Sequence, residues 1–349
     1  MIAVLRRNPW AMTGARAVAS LACAIVLFVA LPRVVGTHWG EVGQVLSRLT
    51  LVDVVLLSGI WLAGLLCYTV VQAAALPGLG HGRALTLNLA GSMVANAVPL
   101  GGIVSISVNL AMIRSWALTT ASFVRFTTLT HLLNILTKLA IAAAALSAVW
   151  FAGVVPGRVI TWSAIASVAA FAASAALVAM LLGGDRGARA LGAAVQPLLR
   201  WGWRAARRHA EAPDARAGAI ELRRRIADLV RAGWGRMTFG LMSYSAAQFL
   251  LFALSLHVVG CRGPLLALFG AFAVERAFTL VPITPGGVGI AETMSTLMLV
   301  ALAVDPVTGA AGVVVYRAFA FFFELPIGFI ALLGWWAHRA RRRRQLIAA

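Results

Sequence analysis

Charged side chains are scarce in this chain. Asp, Glu, Lys and Arg make up 12% of its 349 residues, against about 25% in a typical soluble domain. Acidic residues are rarer still, with 11 of them beside 30 basic ones, while 61% of the residues are hydrophobic. Soluble domains of this total length need more polar surface, so the composition favours a protein embedded in a bilayer.

Cysteine is nearly absent, and the common nucleotide-binding loop is missing. Cys23, Cys67 and Cys261 form no C-x-x-C pair, and each lies in or beside an apolar run. This pattern argues against a disulfide framework or a zinc site, and we predict no metal and no other cofactor. Because the sequence contains no G-x-x-x-x-G-K-[ST] loop, it also argues against ATP hydrolysis.

The excess of basic residues gives a formal net charge of +19, and arginine supplies every basic residue except Lys138. A basic balance is often typical of nucleic-acid binding. Here the arginines lie mostly beside long apolar runs, which favours membrane topology and anionic lipid headgroups instead. We therefore expect membrane lipids as partners and no nucleic acid, and leave open a homo-oligomer or a membrane enzyme as a protein partner.

Six apolar runs are long enough for a spanning helix, which needs about 20 mostly apolar residues. Arg6, Arg7 and Arg16 precede the first run, as in a signal peptide. No clear small-residue cleavage site follows, so we interpret that run as a retained span. The predicted spans are 17–35, 51–76, 120–150, 159–182, 237–260 and 309–337.

Basic segments lie at both ends and in the middle of the chain, and basic loops stay in the cytoplasm. Four predicted spans precede the middle segment and two follow it, which keeps all three segments on one side. We therefore expect an all-α, multi-pass helix bundle in the cell (inner or plasma) membrane, with both termini cytoplasmic. Its predicted parts are an N-tail 1–16, a first membrane half 17–182, a loop 183–236, a second half 237–337 and a C-tail 338–349.

The middle loop carries twelve arginines against five acids. Leucine, isoleucine and tryptophan recur among the arginines at helical spacing between 191 and 230. This pattern predicts one or two amphipathic helices at the inner leaflet, with the apolar face towards the lipid. The alternative is a solvated basic linker that only enforces topology.

Two further apolar regions, 84–118 and 264–304, are each interrupted by a Pro/Gly motif at corresponding places in the two halves. Such paired breaks indicate a repeat and point to a transporter binding site. Non-helical backbone at membrane depth requires burial in protein or contact with water. Each region is either a re-entrant hairpin or two full helices, and an ordinary loop outside the membrane is the alternative for the motif itself. The break residues singled out are Pro99, Gly101, Gly102, Pro285, Gly286 and Gly287.

Several charged residues lie within the apolar segments, where charge is costly and often functional. Glu275 and Arg276 precede the second break, and Glu292 follows it. Two further groups of charged residues have a spacing that places them on one helical face. We expect the acids to pair with basic residues, and we expect the unpaired basic residues to face a polar cavity that accepts a phosphate. Purely structural pairing between helices is the alternative. The two groups are Arg317 with Glu324, and the basic stripe Arg125, His131 and Lys138.

The chain resembles a known family at three motifs. They are Pro285-Gly286-Gly287-Val288-Gly289 followed by Glu292, then Tyr316-Arg317, and then Glu324-Leu325-Pro326. These motifs are similar to the transmembrane region of lysylphosphatidylglycerol synthase/flippase proteins, over about residues 50–337. The resemblance implies a helical fold with two re-entrant segments and a role in moving a lipid between leaflets. It links the family to aminoacylated phosphatidylglycerol and to polyprenyl-phosphate sugars.

The first half departs from the family pattern. Pro99, Gly101 and Gly102 fit it, but Ser105 and Ser107 stand where the family has an acid, and Arg114 is displaced along the chain. The substrate or the first-half site is therefore expected to differ. The aminoacyl-transferase domain of the bifunctional members is not found in this sequence, so we expect no synthesis of an aminoacylated lipid.

The sequence thus favours a flippase-like transporter over an enzyme. It would move an anionic phospholipid or a polyprenyl-phosphate-linked lipid without ATP, either downhill or coupled to protons through Glu292 or Glu324. One alternative is a non-catalytic partner that docks a lipid- or glycan-modifying enzyme through 183–236. The other is a polyprenyl-phosphate-dependent glycosyltransferase, for which the first outer loop region offers only the non-adjacent acids Glu41 and Asp53.

Overall fold

The computed structural model describes residue 22 and residues 25–97, 101–153, 158–205, 213–280 and 284–348. Helices account for nearly all of these residues, which confirms the predicted all-α fold. In chain order they are α1 (Ile25–Val34), α2 (Trp39–Leu46), α3 (Leu51–Ala75), α4 (His81–Ala97), α5 (Gly101–Ser115), α6 (Thr120–Phe151), α7 (Arg158–Gly183), α8 (Asp185–Ala205), α9 (Ala215–Val258), α10 (Leu265–Phe278), α11 (Ile290–Ala301), α12 (Pro306–Arg317) and α13 (Glu324–Ala348).

Five helical segments are long and apolar enough to cross a membrane, and they agree with the predicted spans. Four of them are α3, α6, α7 and α9. The fifth runs from Pro306 to Arg341 and joins α12 to α13 through a π-helical turn at Ala318–Phe322. The first predicted span begins outside the described residues; its described part, α1, bends by 92° into α2, and the pair is long and apolar enough for a sixth span.

The two interrupted regions form pairs of short helices. Helices α4 and α5 have 17 and 15 residues, and α10 and α11 have 14 and 12. At a rise of about 1.5 Å per residue they are about 25, 22, 21 and 18 Å long, short of the roughly 30 Å hydrocarbon core. Their lengths therefore favour two re-entrant hairpins over four full spans.

Helix α9 is the longest element, with 44 residues or about 66 Å of helix. It starts in the basic loop, where the Asp214 side chain accepts a hydrogen bond from Arg216 N, and continues without interruption into the predicted span. The loop thus contains α8, which is amphipathic as predicted, and the first part of α9. The Asp185 carboxylate joins the two helices by accepting hydrogen bonds from Arg223 and Arg224 over 2.5 and 3.1 Å.

Close helix packing holds the core together at small residues. A Cβ on Gly240 of α9 would lie 3.0 Å from Val71 Cγ2 on α3, and a Cβ on Gly328 of α13 would lie 2.4 Å from Leu89 O on α4. Small residues at these positions let two helix backbones approach each other, which is the usual basis of helix association in lipid. These two contacts fix α3, α4, α9 and α13 around the centre of the molecule.

Candidate functional site

A buried cluster of charged side chains lies where the second-half break meets the end of α12. Arg317 Nε donates to Glu292 Oε1 over 2.6 Å, and its Nη1 donates to Glu275 Oε1 over 3.2 Å. Its Nη2 donates to the carbonyl oxygen of Gly286 over 2.9 Å. Glu275 and Glu292 are fully buried and Arg317 is 4% exposed. One guanidinium therefore ties together the end of α10, the break itself and the start of α11.

Glu292 also caps the start of α11. Its Oε2 accepts a hydrogen bond from Gly289 N over 2.7 Å, as the acidic residue of a capping box does. The φ of Gly289 is +87°, a value that a residue with a Cβ rarely adopts. The two carboxylate oxygens are thus divided between the helix start and Arg317, which fixes the carboxylate in place.

Arg276 extends the cluster on the other side. Its Nε donates to Glu275, and its Nη2 donates to Tyr316 Oη over 2.5 Å. The guanidinium carbon lies 5.4 Å from the Phe272 ring centroid and 5.7 Å from that of Tyr316, within cation–π range. Two acids and two arginines therefore form a group of zero formal charge. Partner-by-partner pairing of this kind is what makes buried charge tolerable.

Lys138 on α6 adds a fifth charge beside this group. Its Nζ donates to Thr279 Oγ1 over 3.0 Å, and Thr279 Oγ1 in turn donates to Arg276 O over 2.7 Å. None of the ion pairs found among the described residues includes Lys138. The ammonium is thus a partly buried cation whose counter-charge no described side chain supplies directly.

Two neighbouring spaces lie near Lys138, which lines the smaller of them. The inner one has a volume of about 20 Å³, enough for about one water molecule. The outer one is a mostly apolar groove of about 410 Å³ between α6, α9 and α10. Both spaces are lined by Thr137, Ile141, Leu241 and Ser245, so the groove lies directly beside the small space that Lys138 lines. The polar side chains of the inner space are Asn134, Thr137, Lys138, Tyr244, Ser245, Gln248 and Arg276.

The breaks of the two halves lie close to each other. Gly286 has a φ of +61°, and a Cβ on it would lie 2.4 Å from Phe321 Cε2 and 3.3 Å from Asn96 Oδ1. Asn96 is the penultimate residue of α4, directly before the first-half break. The end of α4 and the 3₁₀ turn at Pro285–Gly287 are therefore neighbours, as expected for paired broken segments.

These features accompany a family match over most of the chain. Residues 17–328 match the family described as the lysylphosphatidylglycerol synthase TM region. The chain belongs to this family. No curated protein and no solved structure matches the chain. The matched family and the apolar helices together make this a multi-pass integral membrane protein of the lysylphosphatidylglycerol synthase family.

Within this family member, the second-half residues predicted from sequence come together. Glu275, Arg276, Glu292, Tyr316 and Arg317 are all members of one bonded cluster. Phe321 covers it, because its ring lies 5.3 Å from the guanidinium carbon of Arg317. Pro285, Gly286, Gly287 and Gly289 form the turn around which the cluster is built.

The first-half residues contribute less to the cluster. Pro99 lies outside the described residues. A Cβ on Gly101 would lie 2.3 Å from Ala95 O, so glycine allows the tight return of the chain, whereas a Cβ on Gly102 would meet nothing within 4 Å. Ser105, which stands where the family has an acid, donates to Gly91 O over 2.9 Å and so joins α5 to α4. Arg114 donates to Thr120 Oγ1 instead of reaching the cluster.

Two side chains expected at the site have other surroundings. Arg125 donates to Ala121 O and Ser122 Oγ in the first turn of α6, about 20 Å along the helix from Lys138. Glu324 is buried, but it forms no ion pair with Arg317. The π-helical turn between Arg317 and Glu324 adds a residue to the helix, which shifts the expected common face by about 100°.

Sequence reasoning missed three residues of the site. Tyr244 and Gln248 line the inner space, and Gln248 Nε2 donates to Tyr244 Oη over 2.8 Å. Thr279 bonds to Lys138. The sequence did contain a signal for two of them, because Tyr244 and Gln248 are polar residues four positions apart in an otherwise apolar span, and buried polar groups need partners. No group of three or more His, Cys, Asp or Glu side chains that could hold a metal ion is found in the described ranges.

Proposed function

We propose that this protein moves an anionic lipid between the leaflets of the membrane without hydrolysing ATP. The observation that carries the proposal is the partly buried Lys138, which lies beside a neutral charge cluster and lines a small space that shares its walls with an apolar groove. A lipid headgroup with a phosphate supplies the missing negative charge, and its acyl chains fit an apolar groove that opens on the side of the bundle.

The paired breaks support a transport role. Their arms are shorter than the roughly 30 Å hydrocarbon core, and the end of α4 adjoins the turn at Pro285–Gly287. Binding sites of secondary transporters lie where such discontinuous helices of the two halves meet. Because the non-helical backbone at a break must be satisfied by protein or water, the same place is suited to a polar cavity.

The inner space of about 20 Å³ is too small for a phosphate headgroup, so the proposed cycle includes an opening movement. The π-helical turn at Ala318–Phe322 is a segment that can supply it. It directly follows Arg317, and π-helical turns often occur at functional sites. A shift of α13 relative to α12 would change the position of Phe321 over Gly286 and the room beside Arg276.

Proton coupling, if the cycle uses it, is best assigned to Glu324. Glu292 is bonded both to Arg317 and to Gly289 N, so its charge is fixed in place. Glu324 is 9% exposed and takes part in none of the ion pairs found among the described residues. A buried carboxyl group without a cationic partner is the more suitable proton carrier within a membrane.

The glycosyltransferase alternative requires an acidic residue that can act as a catalytic base, and its candidate acids have structural roles. Glu41 accepts a hydrogen bond from His38 N over 3.2 Å, and Asp53 accepts one from Thr50 N over 2.9 Å. Both carboxylates thus cap helix starts. Asp305 also caps a helix, since its Oδ2 accepts a hydrogen bond from Thr308 N over 2.9 Å. Acids engaged in this way are poorly placed to act as a catalytic base.

The docking alternative rests on one observation. Helix α8 exposes Leu198 and Trp201 by 69% and 73% in the basic middle loop. An exposed apolar face of this kind lies on a lipid surface or binds a protein. Replacing both residues with serine separates the two functions. A docking protein would lose its effect on the membrane enzyme, whereas a transporter would keep moving lipid in purified form.

The deciding experiment is a headgroup-accessibility assay in proteoliposomes. Fluorescent phosphatidylglycerol and, in a parallel arm, a short polyprenyl-phosphate sugar are quenched from outside, with and without a pH gradient. We expect wild type to move one of them and Lys138→Gln to be at least tenfold slower, because the bound headgroup loses its charge-assisted contact. Arg125→Gln is the matched control: it removes a cation from the same helix but far from the cluster, and is expected to retain wild-type flux.

Glu292→Gln and Arg317→Ala serve as second variants in the same assay. Both variants are expected to stop lipid flux. Because both also disrupt the packing around the turn at Pro285–Gly287, the amount of each variant protein in the membrane is measured in parallel. Transport by Lys138→Gln at the wild-type rate would contradict the proposal that Lys138 binds the transported headgroup. Failure of wild type to move either lipid under any gradient would overturn the transport proposal and leave the docking alternative.

A further inference from the structure

A second cavity lies at the end of the bundle where α13 leads into the basic C-terminal tail. Its volume is about 610 Å³, and it lies between the start of α4, the end of α5 and the second half of α13. It is separate from the charge cluster, because Arg339 lies about 33 Å along the helical segment from Arg317. Its lining residues are Gly82, Arg83, Thr86, Ser115, Trp116, Ala331, Gly334, Trp335, His338 and Arg339.

Two arginine–tryptophan pairs within cation–π range line this cavity. The guanidinium carbon of Arg83 lies 5.8 Å from the Trp116 ring centroid, and that of Arg339 lies 5.5 Å from the Trp335 ring centroid. The Trp335 indole is held by its Nε1, which donates to Ser115 Oγ over 2.9 Å. One pair thus joins α4 to the end of α5, while the other lies on α13, which is itself bonded to α5. A cation–π contact with an indole restricts each guanidinium and leaves its N–H groups available to an anion.

The cavity is positively charged and lacks a counter-charge. No acidic side chain is found among the described residues that line it, and neither Arg83 nor Arg339 takes part in the ion pairs found in the described part of the chain. His338 adds a further nitrogen donor or acceptor, and Thr86 a hydroxyl group. Two planar guanidinium groups facing one space are well suited to the oxygens of a phosphate.

The surroundings favour a lipid phosphate over a soluble one. Helix α13 exposes Ile330 by 67%, Leu333 by 47% and Trp336 by 64% beside the cavity, in a segment apolar enough to span a membrane. Tryptophan and arginine together are typical of the headgroup level of a bilayer. A lipid bound there can place its phosphate between the arginines and its acyl chains along the apolar part of α13.

We propose that Arg83, Arg339, Trp116 and Trp335 form a binding site for the phosphate of an anionic lipid in the leaflet at this end of the protein. The site holds the headgroup at the membrane surface, separately from Lys138. The proposal does not depend on transport, because it concerns equilibrium binding to the purified protein.

The test is a titration of the detergent-purified full chain with short-chain phosphatidylglycerol, in which native mass spectrometry counts the bound lipids. Phosphatidylcholine, which has a phosphate but no net charge, is the comparison lipid, and inorganic phosphate is the competitor. We expect the double variant Arg83→Gln/Arg339→Gln to bind phosphatidylglycerol about thirtyfold more weakly, since each arginine near an anionic lipid surface contributes about fivefold. The control Arg216→Gln/Arg231→Gln removes the same charge from exposed positions on α9 and is expected to lose less than twofold.

A charge-preserving variant tests the role of the planar guanidinium groups. Arg83→Lys/Arg339→Lys keeps both charges but loses the planar sets of donors, and we expect its affinity to fall between those of wild type and the glutamine variant. Circular dichroism and the unfolding midpoint show whether each variant is folded.

Two results would overturn the proposal. Equal losses in the control and in the arginine-site variant would mean that only total charge matters. Displacement of all bound phosphatidylglycerol by millimolar inorganic phosphate would mean that the site binds soluble phosphate and is not a lipid site. Wild-type transport by Lys138→Gln would overturn only the proposed transport site, because it leaves equilibrium binding at Arg83 and Arg339 unchanged.

Discussion

Arg317 and Glu292 form a buried ion pair, with Nε donating to Oε1 over 2.6 Å between the end of α12 and the first turn of α11. Both side chains are almost completely excluded from solvent. The pair is embedded in a wider set of bonds, since Arg317 also reaches Glu275 and the carbonyl group of Gly286. Removing one member therefore leaves other buried groups without partners.

Replacement of Arg317 by alanine is expected to lower the free energy of unfolding by about 3–5 kcal/mol, because uncompensated buried charge remains on the two glutamates. Reversible unfolding in mixed detergent micelles measures the change. Arg125→Ala is the control on α6, where the side chain bonds only within its own helical turn; its cost is expected to stay within about 1 kcal/mol. Equal midpoints for the two variants would show that the buried network does not stabilise the fold.

A side chain at position 286 is expected to lower the stability of the fold. Gly286→Ala places a Cβ 2.4 Å from Phe321 Cε2 and requires a φ of +61°. We expect a loss of about 1–3 kcal/mol in stability from the strained backbone and the clash. Gly102→Ala is the matched glycine variant of the other break, where a Cβ meets nothing within 4 Å. It is expected to be nearly neutral, and thermal unfolding of the two proteins side by side checks the difference.

If α4 and α5 form a re-entrant hairpin, the residues at its tip lie within the membrane. In a background without native cysteines, Gly102→Cys lies at the tip of two helices about 25 and 22 Å long. We expect it to react with a small membrane-permeant maleimide but not with a bulky impermeant maleimide added outside intact cells. Gly40→Cys, which is exposed on α2 and has no neighbour within 4 Å, is the positive control. Labelling of Gly102→Cys from outside at the control rate would mean that both helices cross the membrane.

The contact between α8 and α9 is expected to weaken in acid. The hydrogen bond from Arg224 lowers the pKa of the Asp185 carboxyl below its ordinary value. A carboxyl with a lowered folded-state pKa stabilises the fold above the unfolded pKa, about 3.9 for Asp, and loses that contribution as the pH falls through the folded value.

Asp185→Asn should therefore speed hydrogen exchange of the α8 amides at pH 7. The difference from wild type should disappear well below pH 3.9, when the native carboxyl is protonated as well. Exchange is measured relative to the rate of the unstructured peptide at each pH. The effect is expected to be small, because the carboxylate is partly exposed and its ion pairs are screened by solvent. A difference that persists unchanged into acid would exclude the ion pair as its cause.

Much of the fold could be predicted from the sequence, because apolar length and Pro/Gly breaks act locally. Helix α4 ends at Ala97, directly before the first break, and α10 ends at Phe278, before the turn at Pro285–Gly287, as predicted. The continuation of the basic loop into α9 was harder to predict, since arginine is a good helix former and Gly233 and Gly235 do not end the helix near the membrane boundary at 237.

The bonding partners within the cluster could not be predicted. Arg317 is 25 residues from Glu292 and 42 from Glu275, and sequence spacing says nothing about such distant pairs. Helical periodicity placed Arg125 and Lys138 on one stripe but gave no information about depth. The π-helical turn changed the relation between Arg317 and Glu324, and no residue pattern marks such a turn in advance.

The length of α9 has a mechanical consequence. Tyr244, which borders the small space beside Lys138, and Arg216, near the start of the helix, are about 42 Å apart on one uninterrupted rod. A tilt of about 10° around Tyr244 would swing the arginine end by roughly 7 Å along the membrane surface. A movement of α9 beside Lys138 would therefore displace the positively charged end of the helix, and a force on that end would be transmitted to the interior.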